Sequence, residues 1–555
     1  MRSARISCCA ILGSLILAVS PANAANNRLF PVSPPPAPYI DVVDVSEAAP
    51  ELALMATTLQ GVANAGSTAQ IYLRYTDKDS FWMDWMTEKG WVSLVRKVSL
   101  AEIFEEHEDQ VKIVYLYDPE LPASLNIATM LAALHRGVVA TPALAARFFS
   151  DKPVENLAGR WTSNAEAYEW AFQELWPELN HAIIACLRPD PRLSRLRDYL
   201  IQHKVFTFWP AGEDKESADL RAREQALAEK VLAATPINTP VMGFWFNSTD
   251  AGITEYNGVG LAGEYGKITV VTDGAANLSM LAGMRIQIDG IARKHHQLST
   301  QAPPPPLRPD KVYIGVNIME SGDAPGYLQG RQLDIWNTPG RGDVPIGWAM
   351  GLPTIELMPA VAAYYMEKAT EKDHLFAPVS GAGYTHPYRR FMSRTDNPEG
   401  SWRQYLTLTN TMMGRAHFTE MGVFTDSWKS FERSRMDAVT KRIAQGVPQA
   451  DLLLLGIGRD TGINATNCLY PISERGTIVS HILTRWPADY ADRSREDRIA
   501  WLVEEIKSQT PKLRPAFMQV MALSWAYTPA EIAEVFKNLG DTYVPVSLAQ
   551  YRVLL

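Results

Sequence analysis

Cysteine is scarce in this 555-residue sequence, with four residues in all. Cys8 and Cys9 fall in an N-terminal segment that we expect to be removed, which leaves Cys186 and Cys468. Two cysteines are too few for a fold that is built on disulfide bonds. Cys186 lies in the apolar stretch HAIIACL, which predicts a buried strand and an inert thiol.

The sequence also lacks long apolar runs and basic blocks. Beyond its N-terminus it contains no run of about 18 consecutive apolar residues, so we expect no membrane-spanning helix. Its formal net charge is −8, and lysine and arginine are not concentrated in any one segment. Binding to nucleic acid needs a concentrated basic face. A nucleic-acid partner is therefore not expected, and nothing in the sequence indicates an oligomeric state.

Motifs for a cofactor or a metal ion are missing as well. The glycines of residues 258–263 match G-x-G-x-x-G, but that fingerprint must lead from a strand into a helix that holds a pyrophosphate. Here the strand-like KITVVTD follows after only a few residues. His295 and His296 are adjacent and point in different directions on a helix, unlike the zinc-binding H-E-x-x-H. We therefore expect no cofactor and no metal ion.

The first 24 residues have the pattern of a secretory signal peptide. Arg2 and Arg5 supply a charged start, residues 9–19 an apolar core, and residues 21–25 a small-residue cleavage site. The apolar core is too short to span a bilayer. We expect cleavage after Ala24 and export from a bacterial cell, to the periplasm or the extracellular space.

Proline-rich segments divide the remaining chain. RLFPVSPPPAPY follows the signal segment, and STQAPPPPLRPD carries four consecutive prolines before an apolar strand candidate. Such segments cannot be helical and are typical of arms and linkers. We expect an N-terminal α/β domain over residues 25–135, one or more further α/β domains over 136–305, and a C-terminal domain over 306–555.

Strand and helix patterns alternate throughout the C-terminal domain. The strand candidates are VYIGVNIM, VPIGWAM, LFAPVSG, GVFTDSW, LLLLGIG, GTIVSHIL, PAFMQVMALSW and TYVPVSL. Most of the gaps between them can hold a helix, which implies parallel pairing through right-handed crossovers. About eight such units in about 250 residues is the size of a (β/α)8 barrel. We therefore expect a TIM-type barrel, with a doubly wound open sheet as the alternative.

Carboxylates, aromatic rings and a guanidinium follow most of these strand candidates, although an aspartate after a strand is often only a turn former or a helix cap. In a barrel these ends meet at one rim, where chemistry collects. The sequence also holds 15 Trp and 21 Tyr, whose rings suit the apolar faces of sugars, although most such residues fill cores. The residues concerned are Glu320 and Asp323 after the first strand, Trp348 in the second, Tyr384, His386 and Tyr388 after the third, Asp426 and Trp428 after the fourth, Arg459 and Asp460 after the fifth, and Trp525 after the seventh.

The segment after the third strand candidate reads GAGYTHPY, from Gly381 to Tyr388. Its glycines suit a backbone that takes positive φ or lets a ligand approach closely. The segment resembles the signature of the GxGYxYP family of putative glycoside hydrolases, with Gly381, Gly383, Tyr384 and Pro387 at matching positions. The surrounding RGDVPIGWAMGLPTIELMPAVAAYYMEKATEKDHLFAPVSGAGY is similar to the C-terminal domain of that family.

Two segments nearer the N-terminus extend the resemblance. TLQGVANAGSTAQIYL, with Gln60-Gly61, and VVTDGAANLSMLAG, with Asn277-Leu278-Ser279, are similar to the N-terminal domains of the family. Two departures stand out. His386 replaces the usual tyrosine of the signature, and residues 320–324 read ESGDA where the family tends to have a run resembling SDGDN.

The resemblance implies an exported glycoside hydrolase that acts on a polysaccharide or an oligosaccharide. Such an enzyme needs two carboxylates, about 5–5.5 Å apart for retention or about 6.5–9.5 Å for inversion. Asp323 and Asp426 form the predicted acid/base pair, with Asp460 and Glu320 as further candidates.

The predicted substrate-binding residues complete this picture. Tyr388 belongs to the same loop as Tyr384, and the rings of Trp348, Tyr384 and Trp525 should face one common cleft. The expected roles are sugar stacking for Trp348, Tyr384, Trp428 and Trp525, and binding of hydroxyls or a uronate for His386 and Arg459. The alternative is a carbohydrate-binding protein that kept the barrel and lost catalysis, which the loss of carboxylates around Asp323 favours.

Overall fold

A computed structural model of the chain describes residues 28–66, 68–210, 217–245, 253–319, 323–424, 433–457, 469–474, 476–483, 487 and 489–555. Within them it is an α/β protein with four sheets, three small ones followed by a larger one. Strands pair in parallel, apart from one hairpin in the fourth sheet. None of the helices in this part of the chain is long and apolar enough to cross a membrane.

The first unit alternates strands and helices, which are β1 (Tyr39–Asp44), α1 (Pro50–Asn64), β2 (Ala69–Arg74), α2 (Asp77–Glu88), β3 (Leu94–Val98) and α3 (Leu100–Glu106). The strands pair in the order β2-β1-β3. Capping boxes fix two of the helix starts, since Thr76 with Asp79 and Ser99 with Glu102 satisfy the first backbone N–H groups of α2 and α3.

The second unit continues the alternation with β4 (Ile113–Leu116), α4 (Ala123–His135), β5 (Gly137–Ala140), α5 (Pro142–Phe148), β6 (Val154–Asn156) and α6 (Asn164–Glu174). Its strands pair in the order β5-β4-β6. The domain division expected after residue 135 falls between α4 and β5. Because β5 pairs with β4, both sides of that division belong to the same sheet.

The third unit contains β7 (Asn180–Cys186), α7 (Arg197–Gln202), β8 (Val205–Phe208), α8 (Ala218–Ala233), β9 (Pro240–Gly243), α9 (Glu255–Glu264), β10 (Ile268–Val271), α10 (Leu278–Leu281) and α11 (Ile288–Gln301). The strand order is β10-β9-β7-β8. Cys186 is buried at the end of β7, where burial raises the pKa of its thiol. The proline-rich segment after α11 leads into the fourth unit.

Side chains from two of the motif segments join the third unit to the first. Asn277 Oδ1 accepts hydrogen bonds from Gln60 Nε2 at 2.7 Å and Leu73 N at 2.8 Å, and Asn277 Nδ2 donates to Leu73 O at 2.9 Å. Asn64 bonds Ile71 N and Ile71 O in the same manner. Strand β2 is an edge strand, so these amides satisfy backbone groups that its sheet leaves unpaired.

The same joint contains a buried carboxylate, Asp198. Its Oδ2 accepts hydrogen bonds from Ser279 N at 2.9 Å and Ser279 Oγ at 2.7 Å. Burial raises the pKa of Asp198 to about 7, against the opposing effect of these bonds. Gly61 lies so close that a Cβ there would come within 2.6 Å of Asp198 O. The motif residues of the N-terminal units therefore hold units together.

The fourth unit contains β11 (Val312–Ile318), α12 (Pro325–Gln329), α13 (Arg331–Trp336), β12 (Ile346–Ala349), α14 (Thr354–Leu357), α15 (Pro359–Lys368), β13 (Asp373–Phe376), α16 (Pro398–Ala416), β14 (Glu420–Phe424), α17 (Arg433–Gly446), β15 (Leu452–Ile457), β16 (Leu469–Pro471), β17 (Ile478–Leu483), α18 (Arg495–Gln509), β18 (Ala516–Ala522), α19 (Pro529–Leu539), β19 (Tyr543–Pro545) and α20 (Leu548–Leu554). All eight strand candidates of the sequence are present as strands, and the hairpin partner β16 is additional.

The main path of this sheet runs β13-β12-β11-β18-β17-β15-β14, and all of its pairs are parallel. A closed eight-stranded barrel is not confirmed. The end strands β13 and β14 meet at a single bridge, in which Ala377 N donates to Glu420 O and Gly422 N donates to Ala377 O.

Alternation along the strands separates two buried clusters. Tyr313 and Ala349 belong to one of them, to which α20 adds Tyr551. We call it the inner cluster. Ile314 and Trp348, their neighbours in the chain, belong to the cluster that includes residues of the surrounding helices. This period of two is the ordinary geometry of a strand with both faces buried.

A buried hydrogen-bonded pair links the starts of β13 and β14. His374 Nε2 is 2.7 Å from Glu420 Oε2, and both side chains are almost fully buried. Burial alone raises the pKa of Glu420, but His374 outweighs it and holds that pKa at about 2.

This pair should make the protein sensitive to acid. The pKa of Glu420 is lower in the folded protein than its ordinary value of 4.5, so the stabilisation is complete above pH 4.5 and is lost as the pH falls toward about 2. Breaking a buried pair costs about 3–5 kcal/mol. Unfolding measured between pH 6 and pH 2 should show this loss in the wild type and not in Glu420→Gln. Glu399→Gln, which removes an exposed partner of Arg442, should retain it.

Candidate functional site

The loop that follows β13, residues 378–389, carries the GAGYTHPY signature and is called the motif loop. Gly381 has φ +99°, which favours glycine. Gly383 lies against β10, where a Cβ would come within 2.9 Å of Thr269 O. Directly after it, Tyr384 N donates to the same Thr269 O at 2.9 Å. Gly383 therefore lets the fourth unit dock onto the edge strand of the third.

Hydrogen bonds fix the shape of the motif loop from within. Ser380 Oγ donates to Thr385 O at 3.0 Å and accepts from Phe424 N at 2.9 Å. The hydroxyl of Tyr405 donates to Ser380 O and is bonded to Thr385 Oγ1 at 3.0 Å. The loop is thus held to β14 and α16, which gives Tyr384 a defined position.

The side chain of Tyr384 meets a carboxylate of the third unit. Its hydroxyl donates to Glu255 Oε1 at 3.1 Å, and Glu255 is the first residue of α9. Burial raises the pKa of Glu255 above its ordinary value, while the bond from Tyr384 acts in the opposite direction. A carboxyl group with a raised pKa retains its proton to higher pH, which suits a proton donor.

Aromatic rings surround His386 next to this pair. Its ring stacks on Phe424 at 4.4 Å between centroids and lies 4.9 Å from Tyr256 and 5.4 Å from Tyr384. It is 1% exposed, and neither ring nitrogen has a hydrogen-bond partner in the described part of the chain. Burial, together with the positive charge of Arg389, lowers the pKa of His386 to about 3. The imidazole is therefore neutral over the physiological range.

The glycine pattern of residues 258–263 lies on α9. Its glycines bring that helix close to the motif loop and to the segment that follows β9. A Cβ would come within 2.5 Å of Trp245 at Gly258, 2.7 Å of Arg389 at Gly260, and 2.8 Å of Phe391 at Gly263.

Two further carboxylates lie where the third unit meets α12. Asp323 is half-buried just before this helix, and Asp273 follows β10. Gly326 of α12 packs on Gly274, so that a Cβ at Gly326 would come within 2.7 Å of Gly274 C. Burial raises the pKa of Asp273. Asp273 is four positions after Thr269, so the Cα atoms of these two residues lie within about 13 Å of each other.

These carboxylates and the motif loop form what we call the junction site, which is Glu255, Asp273, Asp323, Tyr384 and His386. Tyr384 and His386 of the fourth unit contact Glu255 and Tyr256 of the third. Asp273 and Asp323 lie shortly before Gly274 and Gly326, which pack on each other. The site combines carboxyl groups of raised pKa, a phenol that donates to one of them, and a neutral imidazole. Such groups can donate a proton to the oxygen atom of a leaving group.

The expectation that Trp348 faces a cleft is wrong. Trp348 is 0% exposed, its Nε1 donates to Asp373 Oδ1 at 2.9 Å, and its ring lies 4.9 Å from that of Trp336. The strand alternation explains this placement, because Ala349 points to the inner cluster and Trp348 consequently points to the helices.

The other described aromatic candidates differ in exposure. Tyr388 is 8% exposed, and its hydroxyl is bonded to Thr440 of α17 at 2.7 Å, so the structure gives it a packing position. Trp525 follows β18, is 47% exposed, and lies 5.8 Å from Tyr327 of α12. Tyr384 is partly exposed. The candidates Glu320, Asp426, Trp428, Arg459 and Asp460 lie outside the described residues.

The sequence reasoning missed Glu255 and Asp273. Asp273 could have been found, because it stands at the end of the strand-like segment KITVVTD, just as the candidates of the C-terminal domain stand at the ends of their strands. Glu255 could not, because it begins a helix 129 residues before Tyr384. As to metal ions, no group of three His, Cys, Asp or Glu side chains within the described ranges could hold one.

Four family models match consecutive parts of the chain. The first, second and third N-terminal domains of GxGYxYP match residues 40–107, 112–179 and 181–283, and the "GxGYxYP putative glycoside hydrolase C-terminal domain" matches residues 310–555. Each matched range covers one of the four sheets.

One solved structure is similar over nearly the whole chain. It is a protein of Bacteroides thetaiotaomicron VPI-5482, described as a putative hydrolase, with 17% sequence identity and a TM-score of 0.77. The alignment covers 95% of this chain and 96% of that one, which shows a common fold. No curated protein matches the sequence.

Proposed function

Because the chain belongs to the GxGYxYP family, we propose that it hydrolyses glycosidic bonds of an oligosaccharide or polysaccharide at the junction site. The description of the family's C-terminal domain supports the reaction class. The proposal includes export after cleavage behind Ala24, which sequencing of the mature N-terminus would test. In this proposal the fourth sheet is barrel-like, and its end strands β13 and β14 are the pair that is incompletely joined.

The contact between Glu255 and Tyr384 carries this proposal. It joins the signature tyrosine to a carboxyl group whose pKa burial raises, at the meeting point of two units. A glycosidase needs a carboxylic acid that is still protonated near neutral pH, so that it can protonate the leaving oxygen. We assign this role to Glu255, in place of the aspartates that the sequence suggested for it.

The second carboxylate of the proposal is Asp323, which lies just before α12, the helix whose Gly326 packs on Gly274. Asp323 follows the first strand of the fourth sheet, where a base or nucleophile can face a substrate bound at the rim. The 47% exposed ring of Trp525, beside α12, offers a flat surface on which a sugar ring can stack. Asp426 stays a candidate from the sequence.

Asp323→Asn tests the second role. The wild type should release reducing sugar from at least one member of a panel of polysaccharides and aryl glycosides, and the variant should lose about a hundredfold or more in turnover on that substrate. Its affinity by calorimetry should stay within a few-fold, because the change removes a charge that acts mainly in the transition state.

Asp334→Asn is the matched control. Asp334 lies on α13, next along the chain from α12, and forms a surface ion pair with Lys78. The Asp334→Asn variant should hydrolyse the same substrate at the wild-type rate. If Asp323→Asn does so too, Asp323 is not catalytic. If the wild type binds a glycan and hydrolyses nothing in the panel, the carbohydrate-binding alternative replaces hydrolysis.

A further inference from the structure

A surface pocket of about 320 Å3 lies away from the junction site, between the N-terminal arm, the connection from α10 to α11, α14 and α16. Three arginines line it, namely Arg28, Arg285 and Arg415. Its apolar wall includes Met284 and Ile355. This volume falls at the lower end of the range of small-molecule sites.

The buried carboxylate of this pocket, Glu356, already has its partners. Glu356 Oε2 accepts hydrogen bonds from Leu29 N at 2.9 Å and Phe30 N at 3.1 Å, and Oε1 accepts from Arg415 Nη1 at 2.6 Å. The charge of Glu356 is therefore balanced by Arg415 and the two amides. The other acidic residue of the lining, Asp289, is exposed and pairs with Arg293 and His417.

Two arginines of the pocket are left without a counter-charge. In the described part of the chain neither Arg28 nor Arg285 forms an ion pair, and the buried Arg28 Nε has no hydrogen-bond acceptor. Arg285 donates only to backbone oxygens, Gly283 O at 2.8 Å and Ser33 O at 2.6 Å. Burial lowers the pKa of Arg285, and the positive charge of Arg28, on the same pocket lining, lowers it further. An anion between them would relieve this repulsion.

We propose that this arginine pocket binds a small molecule through a carboxylate or phosphate group. Guanidinium groups match the planar edge of a carboxylate or the oxygens of a phosphate, and the bonds that they donate are charge-assisted. The apolar wall can pack against the uncharged part of the ligand, for example a sugar ring. A uronic acid and free inorganic phosphate share the required chemistry, and they can be separated by experiment.

Calorimetry on the full chain at constant ionic strength tests the pocket, with inorganic phosphate, D-glucuronate and D-glucose as probes. We expect phosphate or D-glucuronate to bind in a saturable manner and uncharged D-glucose not to compete with it. Arg28→Gln should weaken the binding about tenfold or more, because it removes a charge-assisted hydrogen bond. Arg223→Gln removes the same charge from an exposed position of α8, where its partner Glu169 does not line the pocket either, and should leave the affinity unchanged.

The probe that binds shows whether the ligand of the pocket is an acidic sugar or free phosphate. Binding of D-glucuronate alone indicates an acidic sugar, and binding of phosphate alone indicates a free phosphate site. The proposal is overturned if neither anion binds up to about 10 mM, or if Arg28→Gln binds as tightly as the wild type. Melting temperatures of both variants within a degree or two of the wild type ensure that a loss of binding reports on the pocket.

Discussion

Glu255→Gln should lower turnover by about 10²- to 10⁴-fold on the glycoside that the wild type hydrolyses best, since this is the usual contribution of a positioned general acid. Glutamine keeps the shape of the side chain and can still accept the bond from Tyr384, but it cannot release a proton. KM should change little, because the proton is needed in the transition state and not for binding. Initial rates at saturating substrate and calorimetric affinity measure the two effects separately.

The pH dependence of the activity distinguishes a catalytic role of Glu255 from a structural one, because a purely structural role would leave that dependence unchanged. Burial raises the pKa of Glu255, and the hydroxyl of Tyr384 partly offsets this rise. Activity should therefore fall on the alkaline side as Glu255 loses its proton. Tyr384→Phe removes the donor that lowers this pKa, so its alkaline limb should move to higher pH.

Glu264→Gln is the matched control on the same helix. Glu264 is the last residue of α9, nine positions after Glu255, and Arg394 pairs with it at 2.8 Å. It should retain the wild-type rate and pH profile. Equal rates for Glu255→Gln and Glu264→Gln would remove Glu255 from the mechanism, and the reaction would then have to rely on other carboxylates.

Much of the fourth unit could be predicted because its strands are short apolar runs between helix-like segments. Both the parallel pairing and the eight strands follow from that alternation. Closure could not be predicted, because it depends on how strands far apart in sequence meet. Only the fold shows that Ala377 links β13 to β14.

The candidate site, too, could be predicted from the sequence only in part. Tyr384 and Asp323 could be found because strand ends collect functional groups in α/β folds. Trp348 was misassigned although a signal existed: in IGWA the small residues Gly347 and Ala349 alternate with the large ones, which indicates that Trp348 faces away from the narrow inner side. Glu255 could not be found, since only the docking of two units brings it to the motif loop.

Asn277→Ala should lower the free energy of unfolding by about 4 kcal/mol, although no role in the proposed chemistry is assigned to Asn277. It loses three hydrogen bonds, to Gln60 Nε2, Leu73 N and Leu73 O, and leaves buried groups of the edge strand β2 without partners, at about 1–3 kcal/mol each. Asn277 also has φ +60°, and alanine tolerates this left-handed backbone less well, at about 1 kcal/mol.

Asn238→Ala separates the two causes. Asn238 has φ +65°, and its buried Oδ1 has no hydrogen-bond partner in the described part of the chain. It should therefore show only the backbone effect of about 1 kcal/mol. Guanidinium unfolding followed by tryptophan fluorescence gives both values. A clearly larger shift for Asn277→Ala means that its amide joins the first unit to the third, whereas equal shifts mean that the left-handed backbone alone explains the asparagine.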